Sequence, residues 1–125
     1  MHILLVDDSK VSRMNTLSHL ESTYPDFPHS VDTAENGREA VGMCLEKDYD
    51  LVIMDVEMPV LNGYDACRSI RQIQPDARVA LLTSLAGAVD FKAGREAGCR
   101  HYLLKPVNPS ELRSILRLVS LTKKL

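Results

Sequence analysis

Short runs of consecutive apolar residues recur along the chain, and most of them end in a polar side chain. Residues 51–54 are all apolar and lead directly into Asp55. A run that is short, continuous and without alternation predicts a strand of a parallel sheet that is covered on both faces. The more polar segment 30–34 predicts a strand at the edge of that sheet. The remaining predicted strands comprise residues 3–6, 79–82 and 102–104.

Between the strands, apolar residues recur near the spacing of amphipathic helices. A first helix is predicted from the cap residue Ser9 to about residue 22. Asn36 and Asn62 each precede an acid by three residues, a spacing that favours the starts of a second and a third helix. The predicted inward positions are Val11, Met14, Leu17 and Leu20 in the first helix, Ala40, Val41, Cys44 and Leu45 in the second, and Ala66, Cys67, Ile70 and Ile73 in the third.

The last two predicted helices differ in the strength of their signals. The fourth, over residues 88–97, has weak periodicity, and Gly94 in its interior costs up to about 1 kcal/mol. Gly98 is placed to end this helix. The fifth begins with the cap Asn108, a proline at the first helical position and an acid at the third. Its predicted inward positions are Leu112, Ile115, Leu116 and Val119.

Strand and helix alternate five times, and this order predicts an α/β fold with a parallel sheet between two layers of helices. A chain of 125 residues suits one domain over residues 1–125. In sheets of this kind, functional groups gather at the carboxyl ends of the strands. Four of the predicted strands end in polar groups, which are Asp7 and Asp8, Asp55, Thr83 and Lys105.

Composition argues against nucleic-acid binding, membrane binding and a disulfide framework. The net charge of -2 gives no general attraction to nucleic acid or to an anionic membrane surface. No apolar run approaches the roughly 20 residues needed to cross a bilayer, so a cytoplasmic protein is expected. The three cysteines have no metal-ligand spacing, and their odd number argues against a disulfide framework. Buried, reduced thiols are therefore expected at Cys44, Cys67 and Cys99.

The polar strand ends can carry out phosphoryl transfer if they meet. Three carboxylates in close contact oppose joint ionisation, unless a proton or a divalent cation lies among them. Because the ligands are all oxygens, the expected ion is Mg²⁺. Asp55 beside it can attack phosphorus as a nucleophile, Lys105 supplies a second cation and Thr83 supplies a hydroxyl donor.

These motifs together resemble the receiver domain of bacterial two-component response regulators, over essentially the whole chain. The family pattern has an acidic pair after strand one and an Asp after strand three that is followed by Met-Pro and Asn-Gly. A Thr or Ser follows strand four, and Lys-Pro follows strand five. The resemblance implies a flavodoxin-like, three-layer fold of five β–α units with strand order 2-1-3-4-5. The matching residues are Asp7-Asp8, Asp55, Met58-Pro59, Asn62-Gly63, Thr83 and Lys105-Pro106.

The resemblance implies a signalling switch in place of an enzyme with a turned-over substrate. Asp55 would accept a phosphoryl group from a phosphohistidine of a sensor histidine kinase or a histidine phosphotransfer protein. Asp8, Asp55 and the backbone carbonyl of Glu57 would bind Mg²⁺, with Asp7 acting partly through water. Later dephosphorylation would occur at the same site.

The resemblance also implies how the signal leaves the site. Lys105 would contact the phosphoryl group, and its peptide bond to Pro106 would be cis. The Thr83 hydroxyl would move toward the phosphoryl oxygens, and Tyr102 would then rotate inward. The face formed by the fourth helix, fifth strand and fifth helix would change, and an effector domain or target protein would bind there.

Some positions depart from common choices of the family. Glu57 and Leu85, two residues past Asp55 and Thr83, stand where the family tunes the lifetime of the phosphoryl group. Residues 100 and 101 are Arg-His, whereas many DNA-binding regulators carry there an acidic pair that takes part in a charged dimer interface. That dimer is therefore not expected here.

Two other functions fit the same predicted fold. A small Mg²⁺-dependent phosphatase of the haloacid dehalogenase type also uses an aspartate nucleophile at a strand end. It has a second aspartate two residues further on, where this chain has Glu57. A flavin-binding module needs a neutral phosphate-binding loop after strand one, and Asp7 and Asp8 would repel the phosphate.

Overall fold

The computed structural model describes residues 1–58, 61–84, 91–99 and 101–123. Five strands alternate with five helices in these ranges, as the hydrophobic pattern predicts. The elements, in chain order, are β1 (His2–Val6), α1 (Lys10–Glu21), β2 (Ser30–Ala34), α2 (Gly37–Glu46), β3 (Leu51–Asp55), α3 (Gly63–Ile73), β4 (Arg78–Thr83), α4 (Phe91–Glu96), β5 (His101–Leu104) and α5 (Pro109–Lys123).

All five strands pair in parallel in the order β2-β1-β3-β4-β5, which confirms the predicted topology. The polar strand β2 lies at one edge, where fewer of its side chains need to be buried. β3 lies at the centre and all five of its residues are buried, which explains its continuous apolar run. The strand order places the carboxyl ends of β1 and β3 side by side, with β4 and β5 next to them.

Helices cover both faces of the sheet, and each face has its own apolar core. α1 and α5 pack beside each other on one face, over Ile3, Leu5 and Ile53. α2, α3 and α4 follow one another on the opposite face, over Val52 and Met54. Within the described residues, no helix is both long enough and apolar enough to cross a membrane.

The predicted helix starts are confirmed by side-chain caps. The Ser9 hydroxyl accepts the backbone N–H of Ser12, and the Asn36 side chain accepts that of Glu39. Asn62 and Asn108 cap α3 and α5 in the same way. Gly98, with a φ of 90°, ends the turn after α4 as the sequence predicts. The first residues of the predicted fourth helix, 88–90, lie outside the described residues.

The predicted inward stripe of α1 is partly wrong. Leu20 is fully buried, but Val11 is 80% exposed and Met14 is 59% exposed. Residues spaced by three drift around a helix of 3.6 residues per turn, so Val11 and Leu20 lie on opposite faces. Leu45, predicted to face inward from α2, is 68% exposed.

The cysteines also differ from the expectation of three reduced thiols. Cys67 in α3 and Cys99 just before β5 form a disulfide, whereas Cys44 is a free, buried thiol. An odd number of cysteines leaves one unpaired but does not prevent the other two from pairing. The sequence alone does not show that the segment after α4 lies against α3, where Gly98 is close to Arg71 and Cys99 reaches Cys67. Burial raises the pKa of the Cys44 thiol to about 11.

Candidate functional site

The predicted site residues meet at the carboxyl edge of the sheet. Asp7 directly follows β1, Asp55 and Thr83 end β3 and β4, and Lys105 directly follows β5. Asp7, Asp55 and Thr83 are buried, with at most 2% of each residue exposed. Asp8 is exposed at the mouth of the site. Four segments that are distant in the sequence therefore end at one edge of the sheet.

The three carboxylates lie together as the sequence predicts. Asp7, Asp8 and Asp55 each have a carboxylate oxygen within 4.8 Å of those of the other two. The cluster has only oxygen ligands, the type that hard divalent cations prefer. This arrangement can hold a metal ion.

Lys105 places its ammonium group between two of these carboxylates. Its Nζ lies 3.0 Å from Oδ2 of Asp55 and 3.5 Å from Oδ2 of Asp7. The Lys105 backbone N–H donates to the Thr83 carbonyl at 2.7 Å, which anchors the residue beside the end of β4. The peptide bond between Lys105 and Pro106 is cis, as the resemblance implies.

The backbone around Asp55 is held by three short contacts. Asp55 Oδ1 accepts the Glu57 N–H at 3.1 Å, and the Val56 N–H donates to the Leu82 carbonyl at 2.9 Å. The Gly63 N–H donates to the Val56 carbonyl at 3.1 Å. A Cβ at Gly63 would lie 2.4 Å from the Asp55 carbonyl oxygen, so only glycine lets α3 begin this close to the site.

Asp7 has one carboxylate oxygen that accepts a hydrogen bond and one that only Lys105 approaches among the described residues. Its Oδ1 accepts the Ser9 N–H at 2.9 Å, which couples the carboxylate to the start of α1. Its Oδ2 is buried and accepts no hydrogen bond from any described residue, although Lys105 lies near it. Buried carboxylate oxygens are normally hydrogen-bonded or bound to a cation. Oδ2, which accepts no hydrogen bond, therefore fits a metal ligand.

The electrostatic state of Asp55 follows from its surroundings. Burial raises the pKa of the Asp55 carboxyl to about 6, even though the Lys105 ammonium and the Glu57 N–H favour the ionised form. Burial also opposes the charge of Lys105, but the nearby Asp55 and Asp7 carboxylates outweigh it and raise the Lys105 pKa. Three carboxylates and one ammonium leave an excess of negative charge that a divalent cation can neutralise.

Thr83 and Tyr102 lie on the same face of the sheet. The register pairs Tyr102 with Leu81, and Thr83 follows Leu81 by two residues. Tyr102 packs against the core under α2, α3 and α4, and its hydroxyl oxygen is buried. The structure thus brings the two predicted switch residues to neighbouring strands, with the ring already directed inward.

One contributor was missed by reasoning from the sequence. Arg13 Nη1 donates to the Asp7 carbonyl oxygen at 2.7 Å, and Nη2 lies 3.8 Å from Glu35. The sequence signal for this contact is the position of Arg13 four residues after the cap Ser9, because that position places the Arg13 side chain over the end of β1. Three residues named in the sequence analysis, Pro59, Leu85 and Arg100, lie outside the described residues.

Comparisons with known proteins agree with this geometry. Residues 3–117 match the family model described as the response regulator receiver domain. The probable transcriptional regulator ycf27 of Cyanidium caldarium is 38% identical over 120 residues, which cover 93% of this chain and 46% of that protein. The chain spans about half the length of the curated relatives it matches.

Two solved structures illustrate the structural likeness. The receiver domain of the sensor histidine kinase PA1611 from Pseudomonas aeruginosa PAO1 contains a magnesium ion coordinated in its active site cleft. It is 33% identical with a TM-score of 0.82, over 95% of this chain and 97% of that one. The receiver domain of Ssk1 from Saccharomyces cerevisiae, solved with the histidine phosphotransfer protein Ypd1, is 26% identical. Its TM-score is 0.86, over 100% of this chain and 92% of that one.

Proposed function

The chain belongs to the family of response regulator receiver domains, the signalling switches of two-component systems, and we propose that Asp55 is its phosphoryl acceptor. The observation that carries this proposal is the cluster of Asp55 with Asp7, Asp8 and Lys105 at one edge of the sheet. Asp55 is buried deeply enough to exclude most water, yet it lies beside the exposed Asp8, where a donor can approach. The phosphatase alternative finds no support in the family match.

The transfer step uses the ionised carboxylate of Asp55. One of its oxygens attacks phosphorus, the bond from phosphorus to the imidazole nitrogen of the donor breaks, and an acyl phosphate remains on Asp55. A pKa of about 6 leaves most of this carboxyl ionised near neutral pH. Lys105, 3.0 Å from Oδ2, lies where its ammonium can pair with an oxygen of the incoming phosphoryl group.

A magnesium ion fits the remaining groups. Asp7, Asp8 and Asp55 would hold it with the Glu57 carbonyl, and the absence of a hydrogen bond to Oδ2 of Asp7 from the described residues supports this assignment. When bound, Mg²⁺ supplies the positive charge that lets phosphoryl oxygens approach the carboxylates. Attack of water on phosphorus breaks its bond to the Asp55 oxygen, releases inorganic phosphate and returns the Asp55 carboxylate.

Phosphorylation is read out through Thr83 and Tyr102. New phosphoryl oxygens beside the end of β4 attract the Thr83 hydroxyl, and the space that it leaves favours the inward position of the Tyr102 ring on the same face. This ring lies in β5, so the face formed by α4, β5 and α5 changes and binds a target or effector domain. Leu104, Leu118 and Leu121 already expose apolar surface on β5 and α5.

The phosphoryl donor is a histidine kinase or a histidine phosphotransfer protein that docks beside the site. α1 begins two residues after Asp8, and its residues Val11 and Met14 expose large apolar side chains. An apolar patch next to the acceptor suits contact with a donor protein. The Ssk1 receiver domain in the structure with Ypd1 has the same fold as this chain.

Intact mass spectrometry after incubation with acetyl phosphate and Mg²⁺ tests this function. The wild-type protein should gain the mass of one phosphoryl group, and Asp55→Asn should gain none. Asp76→Asn, at an exposed carboxylate outside the cluster, is the matched control and should be phosphorylated like the wild type. An adduct of equal yield in Asp55→Asn would contradict the proposal, and sustained phosphate release from a phosphomonoester would favour the phosphatase.

A further inference from the structure

The hydroxyl end of Tyr102 lies where a side chain of residue 94 would begin. A Cβ built on Gly94 would lie 1.7 Å from Tyr102 Oη and 2.9 Å from Cζ. Contacts under 3.0 Å are not sustained by real Cβ atoms, so one of the two groups must move. The next neighbour, Cδ1 of Leu81, lies at 3.5 Å, which is an ordinary contact. Among the described residues, Tyr102 is therefore the one that conflicts with a Cβ at position 94.

Backbone conformation does not explain this glycine. Among the glycines that the structure describes, Gly98 is the one with a positive φ, and Gly94 lies inside α4. A glycine inside a helix costs up to about 1 kcal/mol relative to alanine. Gly42 in α2 provides a contrast, because a Cβ there would have no neighbour within 4 Å. Gly94 instead leaves room for the Tyr102 side chain.

We propose that Gly94 is a positioning residue that makes room for the inward Tyr102 ring. With glycine at position 94, the buried hydroxyl can lie against the α4 backbone while the ring packs on the core. With alanine there, the ring is pushed out toward solvent. The link from this ring position to phosphorylation rests on the proposed function, whereas the contact between Gly94 and Tyr102 does not.

A double-mutant cycle in urea tests the contact in the unmodified protein. Gly94→Ala should lower the unfolding midpoint when Tyr102 is present. In a Tyr102→Ala background the same change should raise the midpoint, because the space is empty and alanine is the better helix former. Gly42→Ala should raise the midpoint in both backgrounds. Effects of Gly94→Ala with equal sign and size in the two backgrounds would overturn the proposal.

The double-mutant cycle still tests the contact if Gly94→Ala does not fold. If Gly94→Ala is unfolded and Tyr102→Ala restores folding, the contact is confirmed. If the double variant is unfolded as well, space for Tyr102 is not the role of Gly94.

Fluorine NMR of protein labelled with 3-fluorotyrosine tests the ring position. The chain has four tyrosines, and the Tyr102 resonance is assigned by its loss in Tyr102→Phe. In Gly94→Ala the chemical shift of this resonance should move toward that of a solvent-exposed tyrosine. It should change little when acetyl phosphate and Mg²⁺ are added. In Gly42→Ala it should match the wild type. A Tyr102 resonance that is the same in all three proteins would overturn the proposal.

Intact mass measured on the same samples separates the two claims. Gly94→Ala should still gain one phosphoryl group, because the nearest neighbours of a Cβ at residue 94 belong to Tyr102 and Leu81 and not to Asp55. Absence of an adduct in the wild type would count against the proposed function, while the ring position in the unmodified variants would still test the role of Gly94.

Discussion

Lys105 and Asp55, 50 residues apart in sequence, are joined by an ion pair with Nζ 3.0 Å from Oδ2. The pair forms because β3 and β5 end at the same edge of the sheet, on either side of β4. One lysine cannot neutralise two buried carboxylates together with Asp8 beside them. The site is therefore electrostatically incomplete without a cation or a proton, and the first two predictions follow from that imbalance.

The stability of the metal-free protein should depend on the charge of Asp55. Its folded pKa of about 6 exceeds the ordinary value of 3.8, so the folded state binds more protons than the unfolded state between these values. This group's contribution to the free energy of unfolding therefore falls as pH rises through this window, by at most about 3 kcal/mol, and stays low above it.

Urea unfolding with a chelator, at about pH 5 and about pH 8, checks this dependence. Asp55→Asn lacks the titrating group and should gain stability relative to the wild type as the pH rises. Other groups titrate in both proteins and cancel in the comparison. A difference between the two proteins that stays constant with pH would show that burial does not raise the pKa of Asp55.

Magnesium should stabilise the folded protein. At a concentration ten times its dissociation constant, a ligand that binds only the folded state adds about 1.4 kcal/mol to the free energy of unfolding. Thermal unfolding with increasing MgCl₂ should show this gain for the wild type and for the exposed control Asp76→Asn. Asp8→Asn and Asp55→Asn should lose most of it, and an equal gain in these variants would place the ion elsewhere.

The disulfide should leave a single free thiol. Protein unfolded without reductant should react with a thiol reagent once, at Cys44, and three times after reduction. The bond closes a loop with a sequence separation of 32 residues, so the variant with Cys67→Ala and Cys99→Ala should lose about 3–4 kcal/mol of stability. Three reactive thiols before reduction would instead mean that Cys44, Cys67 and Cys99 are all reduced, as the sequence predicts.

The exposed apolar residues of α1 should matter for a protein donor and not for a small one. Val11→Asp should slow phosphotransfer from a histidine phosphotransfer protein by roughly tenfold, which corresponds to about 1.4 kcal/mol of lost transition-state binding. Its rate with acetyl phosphate should be unchanged. Leu45→Asp, also at an exposed apolar position but on α2, should alter neither rate. Equal losses with both donors would mean that the site itself was damaged.

The fold and the site were predictable for a shared reason. Each central strand is a continuous apolar run because both of its faces are covered, and Asp55, Thr83 and Lys105 directly follow such runs or end them. The position of a side chain at a strand end then follows from chain order. The strand order and the switch role of Tyr102 came from the family resemblance.

What the sequence did not reveal depends on rotations and crossings between elements. Val11 faces outward because the packing of α1 on α5 fixes which side of the helix is buried. Cys99 reaches Cys67 because the segment after α4 lies against α3. The close approach of Tyr102 to Gly94 arises only when Tyr102 packs beneath α4. None of these contacts leaves a periodic signal along the chain.

Chemical identification of the phosphorylated residue tests the central claim most directly. Borohydride reduces an acyl phosphate of aspartate to homoserine, which has one oxygen fewer and two hydrogens more than aspartate. After incubation with acetyl phosphate and Mg²⁺, reduction and proteolysis, mass spectrometry of the peptides should find homoserine at position 55. Homoserine at position 7 or 8, with unmodified Asp55, would contradict the account.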